Sequence, residues 1–535
     1  ATDPADVPTA AWHRSERATA AVRAAVERLR NDTAAQVGPA EAAIFDAHLL
    51  LLEDAELLAD VRRRIDAGTG PARSWLAATA AVAADLAALP GPYLRERAAD
   101  VRSIGAAMAR ELLGRPAAAA SPAPVRGGIL LAEDLSPAQV ATLDPARIRG
   151  IVLAAGSPTG HGAILARARG IPTVVAAGPV VATIAEGTRL ALDGSTGELL
   201  VDPGPERIAE FEHRRDTAAA TATAALAVAS AAAVTVDGEA VPVGANVGSP
   251  ADAAAAAAGG ADLAGLVRTE FLFLGRTAAP DVDEQVAAYR GLAAALGGRR
   301  LTLRTLDVGG DKPLPYAPQA REANPFLGVR GIRFALAERE LLRTQLQAVV
   351  RVAQETPISV MFPMVTTLDE LVAARQALDD AVRAAGRGTP PGLQVGIMVE
   401  VPAAALRAAT FAPLVDFLSI GTNDLTQYAL AAERGHPGLA ALGDPLDPAV
   451  LALVAATCRA AAGGPLVAVC GELAADERAT RLLVALGVRE LSVTPPAIPA
   501  IKAAVRRIER ADDAELVRRA LAAPSAAAVR DLLAT

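Results

Sequence analysis

The stretch GSPTGHGAILARARGIP, residues 156–172, decides how the surrounding chain is read. It holds His161, one of five histidines in the chain, between Gly160 and Gly162. Ala163–Ala168 then reads as the first turns of a helix. A side chain just ahead of a helix start faces unpaired backbone N–H groups and the positive end of the helix dipole. That position suits a residue that carries a phosphoryl group, and glycine neighbours let another molecule's phosphate approach closely. The same residues also fit a strand–turn–helix corner with an incidental histidine, so this stretch alone leaves both readings open.

Outward from His161, residues 128–203 alternate short apolar runs with helical ones. Ile129–Ala132, Gly150–Ala154, Thr173–Ala176 and Arg189–Leu192 are expected strands. Ser136–Leu143 and Gly162–Arg169 are expected helices. Such alternation marks an α/β domain. On its N-terminal side, roughly residues 14–115 carry Leu29, Ile44, Phe45, Leu49, Leu50 and Leu52 at helical spacing. Gly68–Pro71 and Pro90–Pro92 punctuate this region, which predicts a module of four or five helices. Ser121–Pro124 reads as a linker. On the C-terminal side, Glu206 to about Ala232 reads as a helical connector.

From Val234 onward the pattern becomes repeated βα. The expected strands are Val241–Val247, Ala264–Thr269, Leu301–Asp307, Ile358–Met364, Gln394–Glu400, Asp416–Gly421, Leu466–Gly471 and Glu490–Thr494. Eight βα units in about 300 residues fit a closed (β/α)8 barrel, whose active sites lie on the rim at the strands' C-terminal ends. Arg268 closes the second of these strands, Arg304 the third and Glu400 the fifth. Asn423 and Asp424 follow the sixth, and Cys470 ends the seventh. Two arginines, two carboxylates, an amide and a thiol on one rim describe a site for a small anion held with a divalent cation.

Composition removes several classes of function. The chain has 535 residues, which implies two to four domains. It is 52% hydrophobic but only 3% aromatic, so burial rests on many small contacts. The net charge of -8, with both signs interspersed, gives no nucleic-acid footprint. Cys458 and Cys470 make no disulfide framework, which favours a reducing cytoplasm, and Cys458 reads as a buried core thiol. The N-terminus lacks the pattern of a signal peptide. Thr217–Val236 carries no charge over the length of a membrane span. It is mostly Ala and Thr with one leucine, so an Ala-rich helix running into a strand is expected instead.

The chain resembles enzyme I of the bacterial phosphoenolpyruvate:sugar phosphotransferase system, from about Glu41 to the C-terminus. The resemblance rests on ILLAEDLSP, GSPTGHGAILARARGIP, GLVRTEFLF, RTLDVGGDKPLPY, NPFLGVRGIR, VMFPMV, GIMVEVPAA, FLSIGTNDLTQYALAAERG and VAVCGELAADERAT, in that order. AEAAIFDAHLLLLEDAEL and YLRERAADVRSIG look like the family's carrier-binding helices. The resemblance implies a multidomain α/β chain: a helical carrier-binding subdomain over 1–120, a swivelling α/β phosphohistidine domain over 121–205, a helical linker over 206–233, and a phosphoenolpyruvate-binding TIM barrel over 234–535.

It further implies that His161 accepts the phosphoryl group. Arg268, Arg304, Arg330 and Arg434, helped by Asn423, look like the clamp on phosphate and carboxylate, which arginine's planar fork meets bidentately. Glu400 and Asp424 look like Mg²⁺ ligands. Cys470 looks like the acid that protonates the enolate; its side chain is expected at the mouth of the barrel, and alkylation is expected to target it ahead of Cys458, because reactivity follows exposure and electropositive surroundings. The implied partner is an HPr-like phosphocarrier protein that receives the phosphoryl group on a histidine, as the first step of sugar transport. A cytoplasmic homodimer joined through the barrel is also implied, with no nucleic acid and no membrane among its partners. Several residues depart from the family: Gly160 and Gly162 replace hydroxyl residues beside the histidine, Val329 stands where Trp is common, and Asp447 where His is common. The family's usual first strand of the α/β domain is not recognisable, which points to a chain cut from a longer polypeptide, such as a fusion with a carrier domain. Two alternatives stay open here. One is a degenerate paralogue that binds phosphoenolpyruvate or carrier as a sensor. The other is a synthase or dikinase without its ATP domain.

Overall fold

A computed structural model describes residues 8–36, 39–88, 92–114, 127–156, 161–274, 276–309, 314–320, 322–433, 439, 442–511 and 513–534. The chain divides into two compact units, with the main boundary after Thr217.

The first unit opens with five helices, Pro8–Gln36, Pro39–Leu52, Ala55–Asp66, Pro71–Ala88 and Pro92–Leu112. Leu57, Val61 and Ile65 recur every four residues, so the third helix buries one stripe while Asp54 caps its start by accepting from Leu57 N at 2.8 Å. Trp75 fills the bundle centre, and its indole N–H donates to Ser15 Oγ at 2.7 Å. The fourth and fifth helices cross closely: a Cβ on Gly105 would lie 2.0 Å from Thr79 Oγ1. The expected linker Ser121–Pro124 lies outside the described residues.

The α/β part follows. Strands β1 (Gly128–Ala132), β2 (Ile148–Leu153) and β3 (Thr173–Val174) form a parallel sheet in that order. The helix Pro137–Thr142 starts with a capping box between Ser136 and Gln139. The helix His161–Ala168 packs beside it, around Leu135, Val140, Ile151, Leu153 and Leu165. One expected strand proves to be half of a hairpin, β4 (Leu190–Asp193) with β5 (Glu198–Val201), paired Leu190 to Val201. Its turn is fixed by Asp193 Oδ1, which accepts from Ser195 N and Ser195 Oγ. The connector helix spans Pro205–Ala227, ending before the expected Ala232.

The second unit is a closed parallel barrel of β6 (Val243–Val247), β7 (Ala264–Val267), β8 (Leu301–Arg304), β9 (Ile358–Phe362), β10 (Gln394–Val399), β11 (Phe417–Ile420), β12 (Leu466–Val469) and β13 (Glu490–Val493). Outward-facing Val, Leu and Ile on alternate positions join the surrounding helices in one core. Leu266, Met361, Met398, Phe417 and Cys470 pack together inside the barrel. β6 ends at Val247 as expected, and the other seven strands stop one to three residues before their expected ends. The residues left over stand on the rim. No described helix is long and apolar enough to cross a membrane.

Candidate active site

In a parallel barrel every strand delivers its C-terminal residues to the same rim. Here Arg268 follows β7, Arg304 ends β8, Glu400 follows β10 and Cys470 follows β12. After β11 the chain turns at Gly421 into the helix Thr422–Leu430, which carries Asn423 and Asp424 in its first turn.

Two buried arginines are joined by carboxylates. Arg304 Nη2 donates to Glu270 Oε1 at 2.9 Å, and Arg304 Nη1 lies 3.2 Å from Asp307 Oδ2. Arg330 Nη2 reaches the same Asp307 oxygen at 3.1 Å, and its Nη1 lies 3.4 Å from Asp424 Oδ1 and 3.3 Å from Tyr428 Oη. Tyr428 Oη in turn donates to Phe326 O at 2.5 Å. Burial disfavours the charge on Arg304, but Glu270 and Asp307 outweigh it, so the guanidinium holds its proton more tightly than usual. Asp307 and Asp424 do the same for Arg330. Two cations with a shared anion between them form a rigid, multiply donating wall suited to a multiply charged anion.

Glu400 is buried, and its Oε1 accepts from Met364 N at 2.6 Å. Its Oε2 is also buried and has no hydrogen-bond partner among the described residues. An orphaned carboxylate oxygen is costly unless something cationic meets it. Burial, then the charges of Asp424 and Asp307, raise the Glu400 pKa well above the usual range, against the pull of Arg304 and Arg330. Among the described residues, no group of three or more His, Cys, Asp or Glu is placed to hold a metal. Glu400 and Asp424 are two carboxylates of this rim, and a pair of hard oxygen donors suits an ion that keeps most of its shell as water and bound anion.

Cys470 is 4% exposed and Cys458 8%, so both thiols are buried and exposure gives Cys470 no advantage in alkylation. Its thiol packs with Met398 and Phe417 inside the barrel, and donates to Ile420 O at 3.6 Å. Burial pushes its pKa up to about 11, against the Ser419 hydroxyl and the charges of Arg304 and Arg268. The group is thus a thiol, not a thiolate, at neutral pH.

The other expected residues sit differently. Arg268 is exposed. Asn423 pairs with Glu472, donating to Oε1 at 3.1 Å and accepting from Glu472 N at 2.9 Å. Arg434 lies outside the described residues. His161 begins its helix in the first unit, whereas the rim belongs to the second. A Cβ at Gly162 would meet Leu135 O at 2.5 Å, so the residue after this histidine has no room for a side chain here. Asp447 caps the helix Pro448–Ala460 through Ala449 N at 2.8 Å. Val329 is held by its backbone, N–H to Glu322 and carbonyl to Gln319. Sequence reading missed Glu270 and Asp307. Both lie in quoted motifs, two residues past Arg268 and three past Arg304, and that spacing to an arginine was the available signal.

Three family models match successive stretches of the chain. One described as "PEP-utilising enzyme, PEP-binding domain" covers residues 223–510. Another, "PEP-utilising enzyme, mobile domain", covers 124–197, and "PEP-utilising enzyme, N-terminal" covers 1–97. The chain is 42% identical over 523 residues to the multiphosphoryl transfer protein of Rhodobacter capsulatus, covering 98% of this chain and 61% of that one. It is 41% identical over 527 residues to the phosphoenolpyruvate-protein phosphotransferase of Haloferax volcanii, covering 97% and 91%. It is 37% identical over 509 residues to that of Geobacillus stearothermophilus, covering 94% and 88%. The chain thus spans less than two thirds of the Rhodobacter relative's length and about nine tenths of the other two.

Proposed function

Because this chain belongs to the phosphoenolpyruvate–protein phosphotransferases among the PEP-utilising enzymes, we propose that it moves the phosphoryl group of phosphoenolpyruvate onto His161, releases pyruvate, and passes the group to a histidine of an HPr-like carrier. The observation that carries this reading is the rim itself. Arg304 and Arg330 form one cationic wall, Glu400 presents an unpaired oxygen, and a protonated Cys470 lies beneath them.

The chemistry divides among these groups. Arg304, Arg330 and Arg268 bind the phosphate and carboxylate oxygens and hold the phosphorus for in-line approach. The family pattern adds Arg434 and Asn423 to that clamp. Neutral His161 attacks phosphorus, a P–N bond forms, and the bond to the enolate oxygen breaks, leaving the electron pair on that oxygen. Cys470 gives its proton to C3 of the enolate, which yields pyruvate, and solvent later restores the thiol proton. Glu400 and Asp424 would hold Mg²⁺, which when bound neutralises charge on the phosphate oxygens. In the second half-reaction the α/β domain presents phospho-His161 to the carrier. The helical module is the carrier's docking element. We place the reaction in the cytoplasm, in a homodimer joined through the barrel.

Incubation with phosphoenolpyruvate labelled in the phosphoryl group, with Mg²⁺ and without ATP, tests this reading. An acid-labile, base-stable phosphohistidine on the chain supports it, and a chain that binds phosphoenolpyruvate without becoming labelled is a sensor instead.

A further inference from the structure

Behind Arg304 runs a chain of buried polar groups that takes no part in the chemistry above. Gln345 lies on the helix Arg339–Ala353 and is 2% exposed. Its Oε1 accepts from Leu306 N at 2.9 Å. Its Nε2 donates to Thr269 Oγ1 at 3.0 Å and to Tyr289 Oη at 3.3 Å. Thr269 Oγ1 donates to Arg304 O at 2.8 Å. On the other branch, Tyr289 Oη donates to Gln285 Oε1 at 3.2 Å, and Gln285 Nε2 donates to Pro280 O at 3.0 Å.

The direction of every bond in this chain is fixed. Arg304 O can only accept, so Thr269 must donate there and accept from Gln345. Leu306 N–H can only donate, so it takes the carbonyl end of the Gln345 amide, and the amide end faces the two hydroxyls. Burial raises the pKa of Tyr289, so it stays a donor. A buried network with each group satisfied is rigid, and removing one member leaves a partner unpaired.

The network closes on both peptide groups that flank Thr305, just where β8 ends. Thr305 N itself donates to Met361 O on β9 at 2.9 Å. The backbone carrying Arg304 is therefore pinned from two sides, by the neighbouring strand and by Gln345 acting partly through Thr269. Thr269 also lies between Arg268 and Glu270, so the same hydroxyl ties two arginine-bearing strand ends together.

We propose that Gln345 and Thr269 are positioning residues for substrate binding: they fix the strand end from which Arg304 reaches its anion. This rests on the reading of Arg304 as part of the phosphoenolpyruvate clamp. A shift of about 1 Å at a positioning group costs on the order of a hundredfold in rate. Thr269→Val and Gln345→Met should each raise KM for phosphoenolpyruvate and lower kcat/KM by roughly ten- to a hundredfold. Tyr289→Phe loses only the branch that leads away from Arg304. It should lower the melting temperature, because a buried hydrogen bond is lost, yet leave kcat/KM within about twofold, because Gln345 keeps its bonds to Leu306 N and Thr269.

The experiment measures KM, kcat, calorimetric binding of phosphoenolpyruvate and melting temperature for the full chain and these three variants, with Thr269→Ser as the variant that keeps the hydroxyl. Positioning predicts weak binding in Thr269→Val and Gln345→Met, recovery in Thr269→Ser, and near-normal kinetics in Tyr289→Phe. Wild-type kinetics in folded Thr269→Val would overturn the proposal, as would equal losses in Tyr289→Phe and Thr269→Val. If Thr269→Val does not fold, Gln345→Met and Thr269→Ser decide by the same criteria. A wild-type chain that fails to bind phosphoenolpyruvate overturns the functional reading, and the proposal with it. A wild-type chain that binds but does not turn over removes only His161, and the binding data still judge Thr269 and Gln345.

Discussion

Met364 donates its backbone N–H to Glu400 Oε1 at 2.6 Å from a left-handed backbone conformation, φ 57°. A residue with an unbranched side chain adopts that conformation only at a cost of about 1 kcal/mol or more. The cost is met by packing: a Cβ at Gly331 would already touch Met364 Cβ at 2.8 Å, so this turn of chain has one place to go. The result aims one Glu400 oxygen at the backbone and leaves the other without a hydrogen-bond partner among the described residues.

Substitution at this carboxylate should separate binding from turnover. Glu400→Gln keeps the acceptor for Met364 N but removes the charge offered to Mg²⁺. We expect phosphorylation to fall by about three orders of magnitude, as for loss of a group that stabilises transferring charge, with a melting temperature at or above wild type, since an unpaired buried charge has gone. Phosphoryl transfer in EDTA is the companion measurement. Rates equal to those with Mg²⁺ would show that neither Glu400 nor Asp424 serves a metal.

Cys470 is judged by proton transfer to carbon. Cys470→Ser should retain phosphoenolpyruvate binding but slow pyruvate formation by about a hundred- to ten-thousandfold, the usual worth of a general acid. Deuterium entry into pyruvate and the melting temperature should be read on one preparation. A stable variant making pyruvate at the wild-type rate removes Cys470 from the mechanism, and a loss confined to stability makes it a core thiol.

The opposite end of the barrel supplies a pH prediction. Glu490 opens β13, half-buried; burial pushes its pKa up to about 7, with Asp262 adding to the rise and Arg300 opposing it. The folded state therefore binds this proton more tightly than the unfolded chain does. Stability from Glu490 is complete below the ordinary glutamate range and is lost as pH climbs through about 7. Glu490→Gln should thus be more stable than wild type at pH 8, by on the order of 2 kcal/mol, and should match it near pH 4. Equal denaturation midpoints at both pH values would contradict the burial of this carboxyl.

Much of the barrel was legible because each strand is an apolar run closed by a rim residue of a different chemistry. Val399 followed by Glu400, and Val469 followed by Cys470, mark the change. The α/β hairpin was half legible: Arg189–Leu192 was read, but ELLV at 198–201 is too short to register without its partner. The carboxylate bridge was not legible. Glu270 and Asp307 lie 37 residues apart, yet Asp307 N donates to Glu270 Oε1 at 3.0 Å. Local periodicity carries no trace of such a meeting between strand ends. Exposure of Cys470 was misjudged for a related reason, since rim position in sequence does not reveal what covers it.

A barrel fragment cut at residue 234 omits part of what holds the barrel. Lys502 is fully buried, and its Nζ donates to Ala229 O at 2.9 Å, Gly260 O at 2.6 Å and Asp262 Oδ1 at 2.8 Å. Removing residues before 234 strips one of these three acceptors from a buried ammonium, worth about 1.5–3 kcal/mol for a charged hydrogen bond. Fragment 218–535 should accordingly unfold at higher denaturant concentration than fragment 234–535 and bind phosphoenolpyruvate. Identical midpoints would count against this anchoring.

Transfer to His161 is the step on which everything else depends. The direct measurement exposes wild type and His161→Ala to phosphoenolpyruvate labelled in its phosphoryl group, with Mg²⁺ and no nucleotide. Label retained on protein is then compared with calorimetric binding of the same substrate. Wild type should carry acid-labile label and His161→Ala none, with similar affinity for phosphoenolpyruvate in both if the clamp is the barrel rim. Histidine-bound label on His161→Ala, or none on wild type that binds the substrate, would contradict transfer to His161.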